Sequence, residues 1–171
     1  MDIPNFGNSS LLFIISYIHA CIKLKYMVGW KLSLFLMPIA SYLCNMFPNN
    51  ILYHKFDLSS ILFISLNYLY YNKKNKQALF ILLLYLYEIL FTKHIIYSKN
   101  IGFILLNYNA YNIFNVKQRI ICMITFIISL YCFLIRKKHM KYYKHYTTIW
   151  HIGNNISLCL ATISLKKLES I

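Results

Sequence analysis

Residues 120–135 read IICMITFIISLYCFLI and residues 79–91 read LFILLLYLYEILF. Both runs are apolar all round, whereas a helix packed on a soluble core keeps a polar stripe toward water. Neither run alternates apolar and polar residues as a β-barrel span does. Outward from these two, apolar runs fill nearly the whole chain, separated by short basic punctuation. The pattern predicts an all-α integral membrane protein, a seven-transmembrane helix bundle forming one domain over residues 1–171. The expected spans are about 9–27, 32–47, 51–71, 77–97, 101–115, 119–136 and 145–165.

The punctuation sets these limits. Lys25 and Lys31 bracket an expected turn around Gly29, and Pro48-Asn49-Asn50 reads as a stop. Asn72-Lys73-Lys74-Asn75-Lys76 ends the third run. Ser98-Lys99-Asn100 leads into the fifth, Lys117 and Arg119 precede the sixth, and the segment Arg136 to Lys144 precedes the seventh. Several spans hold 15–18 residues, fewer than the roughly 20 of a full crossing. Tyr, Lys and Asn at their ends extend them by reaching toward the headgroups. There is no internal repeat and no long linker.

The whole composition agrees. The chain has 171 residues, 59% of them apolar, with a mean hydropathy of +0.52. Eighteen Lys and Arg, sixteen of them Lys, face four carboxylates (Asp2, Asp57, Glu88, Glu169), for a net charge of +14. Nucleic-acid binding is excluded as the meaning of that charge. Such binders gather bases on one folded surface, whereas these lie between apolar runs, where loops meet anionic headgroups. The wealth of Lys, Asn, Ile and Tyr is also the vocabulary of an AT-rich coding sequence. Counted over seven spans, the N-terminal side carries about eight bases and the other about ten, which tilts the C-terminus toward the cytoplasm. The cysteines Cys21, Cys44, Cys122, Cys132 and Cys159 form no CxxC pair and read as small buried apolar residues. No basic segment precedes the first run and no cleavage site follows it, so the first span is expected to serve as its own insertion signal.

Polar groups inside lipid cost free energy and mark candidate function. Ser41 and Asn45 lie four apart near the end of span 2, and Thr147 and His151 four apart on span 7, beside Trp150; each pair shares a helical face. Asp57 opens span 3. Span 2 ends where spans 3 and 7 begin, so Ser41, Asn45, Asp57, Thr147 and His151 are expected to converge at one end of the bundle. Glu88, in the middle of span 4, reads as a protonated or paired carboxylate, or as a proton or ion pathway residue; the sequence offers it no obvious intramembrane Lys or Arg.

These residues resemble the motifs of the CREST superfamily, the membrane proteins that include alkaline ceramidases, progestin and adipoQ receptors, haemolysin III-like proteins and lipid remodellers of GPI anchors. Such proteins carry Ser-x-x-x-His, an Asp a dozen or more residues later, and His-x-x-x-His on the seventh helix. Here the steps read Ser41-Tyr-Leu-Cys-Asn45, then Asp57, then Thr147-Thr-Ile-Trp150-His151, in the same order and on the same spans. The resemblance implies a lipid-modifying protein of the endomembranes (endoplasmic reticulum or Golgi) with membrane lipids as partners and no assigned protein partner. In active members three histidines hold a zinc that activates water for lipid amide hydrolysis, with roles for Ser41 and Asp57 in stabilising an oxyanion and activating the water. Two of those histidines are replaced, by Asn45 and Thr147, which are poor zinc ligands. His54, three residues from Asp57, offers a rebuilt His54–Asp57–His151 set. An alternative frame reads Ser16-Tyr-Ile-His19 as the first step. Three functional readings follow: a zinc hydrolase or its metal-free relative, a small transporter or channel using Glu88 and Asp57, or an accessory subunit of a membrane complex.

Overall fold

The computed structural model describes residues 7–47, 49–92, 97–135 and 142–170. Pro48, the end of the expected span 4 (93–96), and the bases of the segment 136–141 lie outside them.

The described residues form seven helices and no strand. Helix α1 (Ile14–Lys23) is entered through a helical turn at Gly7–Ser10 and a 3₁₀ turn at Leu11–Phe13. The others are α2 (Val28–Met46), α3 (Ile51–Tyr71), α4 (Asn75–Phe91), α5 (Tyr97–Ile113), α6 (Val116–Ile135) and α7 (Tyr143–Glu169). Each expected run is a helix, and the third has the expected limits. One helix, α6, is both long and apolar enough to cross a membrane. Helices α4 and α5 stop at 17 residues, and the 27 residues of α7 carry many polar side chains.

Local chemistry explains the boundaries. Asn50 starts α3 as its N-cap, its Oδ1 accepting the amides of Leu52 (3.0 Å) and Tyr53 (3.3 Å). Extended backbone at Thr92 (φ −126°, ψ 159°) ends α4 at Phe91, six residues before the expected end of that span. The turn expected around Gly29 lies instead at Leu24–Met27, and Gly29 is in the first turn of α2. A Cβ there would meet the end of the Asn67 side chain, so the glycine gives α3 room to approach rather than marking a bend.

Helix α7 buries the most residues, followed equally by α2 and α3, and the three form the centre. Helix α6 packs mainly on α7. Helix α2 lies on α3, α4 and α5 pack on each other and on α3, and α1 bridges α7 and α2. Trp30, Leu34, Tyr68, Leu106, Ala161 and Leu165 are the heart of the core. Polar stitches cross it: Trp30 Nε1 donates to Thr162 Oγ1 at 3.0 Å, Tyr68 and Ser164 share a hydroxyl pair at 2.8 Å, and Asn67 Nδ2 donates to Ser33 Oγ at 2.7 Å.

At the far end of α7, Glu169 closes the turn between α1 and α2. Its carboxylate accepts the amides of Tyr26 (2.7 Å) and Lys25 (3.0 Å) and pairs with Lys166 at 3.3 Å. Burial pushes the Glu169 pKa up, but those amides and the Lys166 ammonium outweigh it and hold the carboxyl below its ordinary value of 4.5. A depressed carboxylate contributes stability above its unfolded pKa and loses it as pH falls through the folded one. Unfolding measured against pH is therefore expected to show wild type more stable than Glu169→Gln at pH 7, with the two curves merging well below pH 4.5. Curves that keep their separation at the lowest pH would contradict this role.

Candidate functional site

The alternation of helices brings one end of α1, α2, α3, α5 and α7 together, and a cluster forms there around two residues that the sequence reading passed over, Ser9 and Ser10. Ser10 is fully buried. Its Oγ accepts a hydrogen bond from Asn45 Nδ2 at 2.8 Å and another from Ser41 Oγ at 3.1 Å. Asn45 Nδ2 also donates to the Ser41 carbonyl at 2.8 Å. The Asp57 carboxylate lies near the Ser41 hydroxyl. Across the same turn, Ser9 Oγ lies 3.0 Å from His151 Nδ1. The His151 ring is 2% exposed and packs at 5.1 Å from both Phe13 and Trp150. Ser41 and Asn45 on one side and His151 on the other are thus joined through Ser9-Ser10.

The remaining expected residues are nearby but not joined in the same way. Thr147 is buried one turn before His151, and its Oγ1 has no hydrogen-bond partner. His54 turns to Cys44, with Nδ1 and Sγ 3.5 Å apart. Ser16 donates to the Phe13 carbonyl of its own helix at 2.7 Å, which gives the alternative Ser16/His19 frame a structural use for its serine.

Glu88 is 1% exposed and fully engaged. Its carboxylate accepts the amide of Tyr97 at 2.6 Å, the amide of Ser98 at 3.0 Å, and the Ser98 hydroxyl. Those are free N–H groups of the first turn of α5, where the helix dipole favours negative charge. Lys99 follows in the same turn and feels the charge of both Asp57 and Glu88. Lys99 reads as a loop residue in the sequence because the start of α5 is set by a carboxylate ten positions away.

A zinc ion needs three imidazole, thiolate or carboxylate donors turned toward one point. Among the described residues no three His, Cys, Asp or Glu side chains form such a group. That covers the set His54, Asp57 and His151. Asn45 offers its amide hydrogens to oxygen acceptors rather than a lone pair to a metal, and His151 Nδ1 meets a hydroxyl. What the arrangement can do is hold hydroxyl and amide groups in fixed relation and stabilise a polar group brought to the end of the bundle. Comparison with protein-family models, with curated proteins and with solved structures found no match.

Proposed function

We propose that this chain is a seven-span membrane protein, a metal-free relative of the CREST lipid-modifying proteins, that holds lipid at the Ser9-Ser10 end of its bundle without cleaving it. The observation that carries this reading is a hydrogen-bond network at two of the positions expected to bind metal: Asn45 and His151 meet the hydroxyls of Ser10 and Ser9. Membrane residence is supported by α6, only 17% of whose apolar stretch is buried. A core helix of a soluble protein is mostly covered, whereas Ile120, Met123, Ile124, Phe126, Ile127 and Leu134 of α6 all face outward. On α4 the same holds for Leu79, Phe80, Leu83, Leu90 and Phe91. Exposed apolar surface of this extent needs an apolar solvent.

The test has two parts. The protein is expected to stay with membranes on alkaline extraction, and glycosylation acceptors fused to the two termini are expected to be modified at one end only, because seven spans put the termini on opposite sides. Release into the supernatant, or equal modification of both ends, would sink the seven-span reading. Native mass spectrometry from mild detergent is then expected to show retained lipid, reduced in Asn45→Ala. Release of free fatty acid from a long-chain amide, lost in His151→Ala, would overturn the non-cleaving assignment.

A further inference from the structure

The end of the bundle opposite the Ser9-Ser10 cluster is strongly basic. Hydrogen bonds gather the helix ends there: Gly29 N at the start of α2 donates to Tyr71 Oη at the end of α3 (3.1 Å), and Asn109 Nδ2 near the end of α5 donates to Gln77 Oε1 at the start of α4 (2.9 Å). Arg119 Nε of α6 and Lys167 Nζ of α7 donate to the last carbonyls of α5, at Tyr111 (3.1 Å) and Ile113 (3.3 Å), where the helix dipole favours positive charge. Among the described residues Glu169 is the only carboxylate at this end, and the amides of Lys25 and Tyr26 and the Lys166 ammonium already engage it. Lys31 Nζ donates to the Lys25 carbonyl at 3.2 Å. The ammonium groups of Lys23, Lys25, Lys73, Lys74, Lys76 and Lys117 have no ion pair and no hydrogen bond among the described residues.

Half of these unpaired lysines lie in one turn, between α3 and α4. Lys73 has φ 56°, the left-handed conformation that glycine usually supplies after a helix. Its amide donates to the Tyr70 carbonyl at 3.0 Å and that of Lys74 to the Leu69 carbonyl at 2.8 Å. The reversal is closed by its own backbone, and it presents Lys73, Lys74 and Lys76, all exposed, within four residues. The first turn of α4 holds no acidic residue. Beside the turn a groove of about 370 Å³ lies between α3 and α4, lined by Leu66, Tyr70, Asn75, Ala78, Leu79 and Leu82. From Asn75 to Leu82 it follows α4 for about 10 Å, away from the lysines and onto apolar side chains. We propose that the α3–α4 turn binds one anionic phospholipid, its phosphate among Lys73, Lys74 and Lys76 and the upper part of an acyl chain along Ala78, Leu79 and Leu82. Charge selects the occupant. The groove by itself would take any alkyl chain, whereas three unpaired ammonium groups at its rim favour a net negative headgroup over phosphatidylcholine, whose choline offsets its own phosphate. The inference rests on membrane residence, and failure of that reading shows separately, in alkaline extraction.

Phosphatidylglycerol and phosphatidylcholine with the same acyl chains are titrated into the full chain in mild detergent, and the first bound lipid is followed by native mass spectrometry. One lysine near an anionic surface is worth about fivefold in binding, so wild type is expected to prefer phosphatidylglycerol by about a hundredfold. The triple variant Lys73→Gln, Lys74→Gln, Lys76→Gln is expected to lose that preference. A matched triple, Lys23→Gln, Lys25→Gln, Lys117→Gln, removes the same charge from the same end outside that turn and is expected to keep most of it. Three results would overturn the assignment. Equal binding of the two lipids by wild type would remove the selection by charge. Equal loss in both triples would spread it over the whole basic end. Displacement of the lipid by glycerol 3-phosphate at the lipid's own concentration would make the turn a site for a soluble anion.

Discussion

Trp30→Ala is expected to be among the most damaging single substitutions in the core, costing about 3 kcal/mol of stability. Trp30 is fully buried, its ring lies 5.7 Å from that of Tyr68, and its Nε1 donates to Thr162 Oγ1 at 3.0 Å. Three contributions are removed together: dispersion contacts, the hydrogen bond and the filling of the space between α2, α3 and α7. In water, tryptophan truncation in a core costs about 3–5 kcal/mol. Part of that is transfer out of water, a gain that lipid tails do not withhold from an unfolded helix, which sets the expectation at the low end. Thr162 keeps its own bond to the Leu158 carbonyl at 2.9 Å, so no orphaned hydroxyl adds to the loss. Reversible unfolding in mixed micelles checks the figure. Trp30→Phe, which removes the N–H and less volume, is expected to fall between wild type and alanine.

The second large effect is expected at Glu88. Glu88→Ala removes the acceptor shared by two backbone amides and a hydroxyl at the start of α5, a loss of about 2–4 kcal/mol by the usual cost of unmet buried donors. Glu88→Gln keeps one carbonyl oxygen and is expected to lose roughly half as much. Amide hydrogen exchange at Tyr97 and Ser98 is expected to accelerate in both, more so in alanine. A transport role for this carboxylate would leave the exchange rates alone and change pH-dependent flux instead, so the same variants separate the two uses of the residue.

How far the sequence reaches is clear from particular residues. Runs of apolar residues broken by Lys and Asn gave the number of helices among the described residues, because apolarity and helix-ending residues are local properties. Span 3 and helix α3 coincide, and Asn50, read as part of a stop, caps that helix. Gly29 misled, because a glycine punctuates a turn and permits close approach with the same one-letter signal; only the position of Asn67 on α3 separates the two uses. The start of α5 was likewise out of reach, since Tyr97 and Ser98 are capped by Glu88 from another helix.

At the site, four-residue spacing sets Ser41 one turn from Asn45 on α2 and Thr147 one turn from His151 on α7. The central members, Ser9 and Ser10, were invisible. They look like the unremarkable edge of an apolar run, and their role appears only when the turn before α1 is seated between α2 and α7. A pair of adjacent serines at the entry to an apolar helix is a signal that could have been weighed, since a hydroxyl buried there requires a partner.

The cluster is assigned here to hydrogen bonds and not to metal, and zinc per chain tests that most directly. The measurement is elemental analysis of protein purified in mild detergent without chelator, wild type beside His151→Ala. The expected result is no stoichiometric zinc in folded wild type and no difference between the two proteins. About one zinc per chain in wild type, lost in His151→Ala, would contradict the assignment.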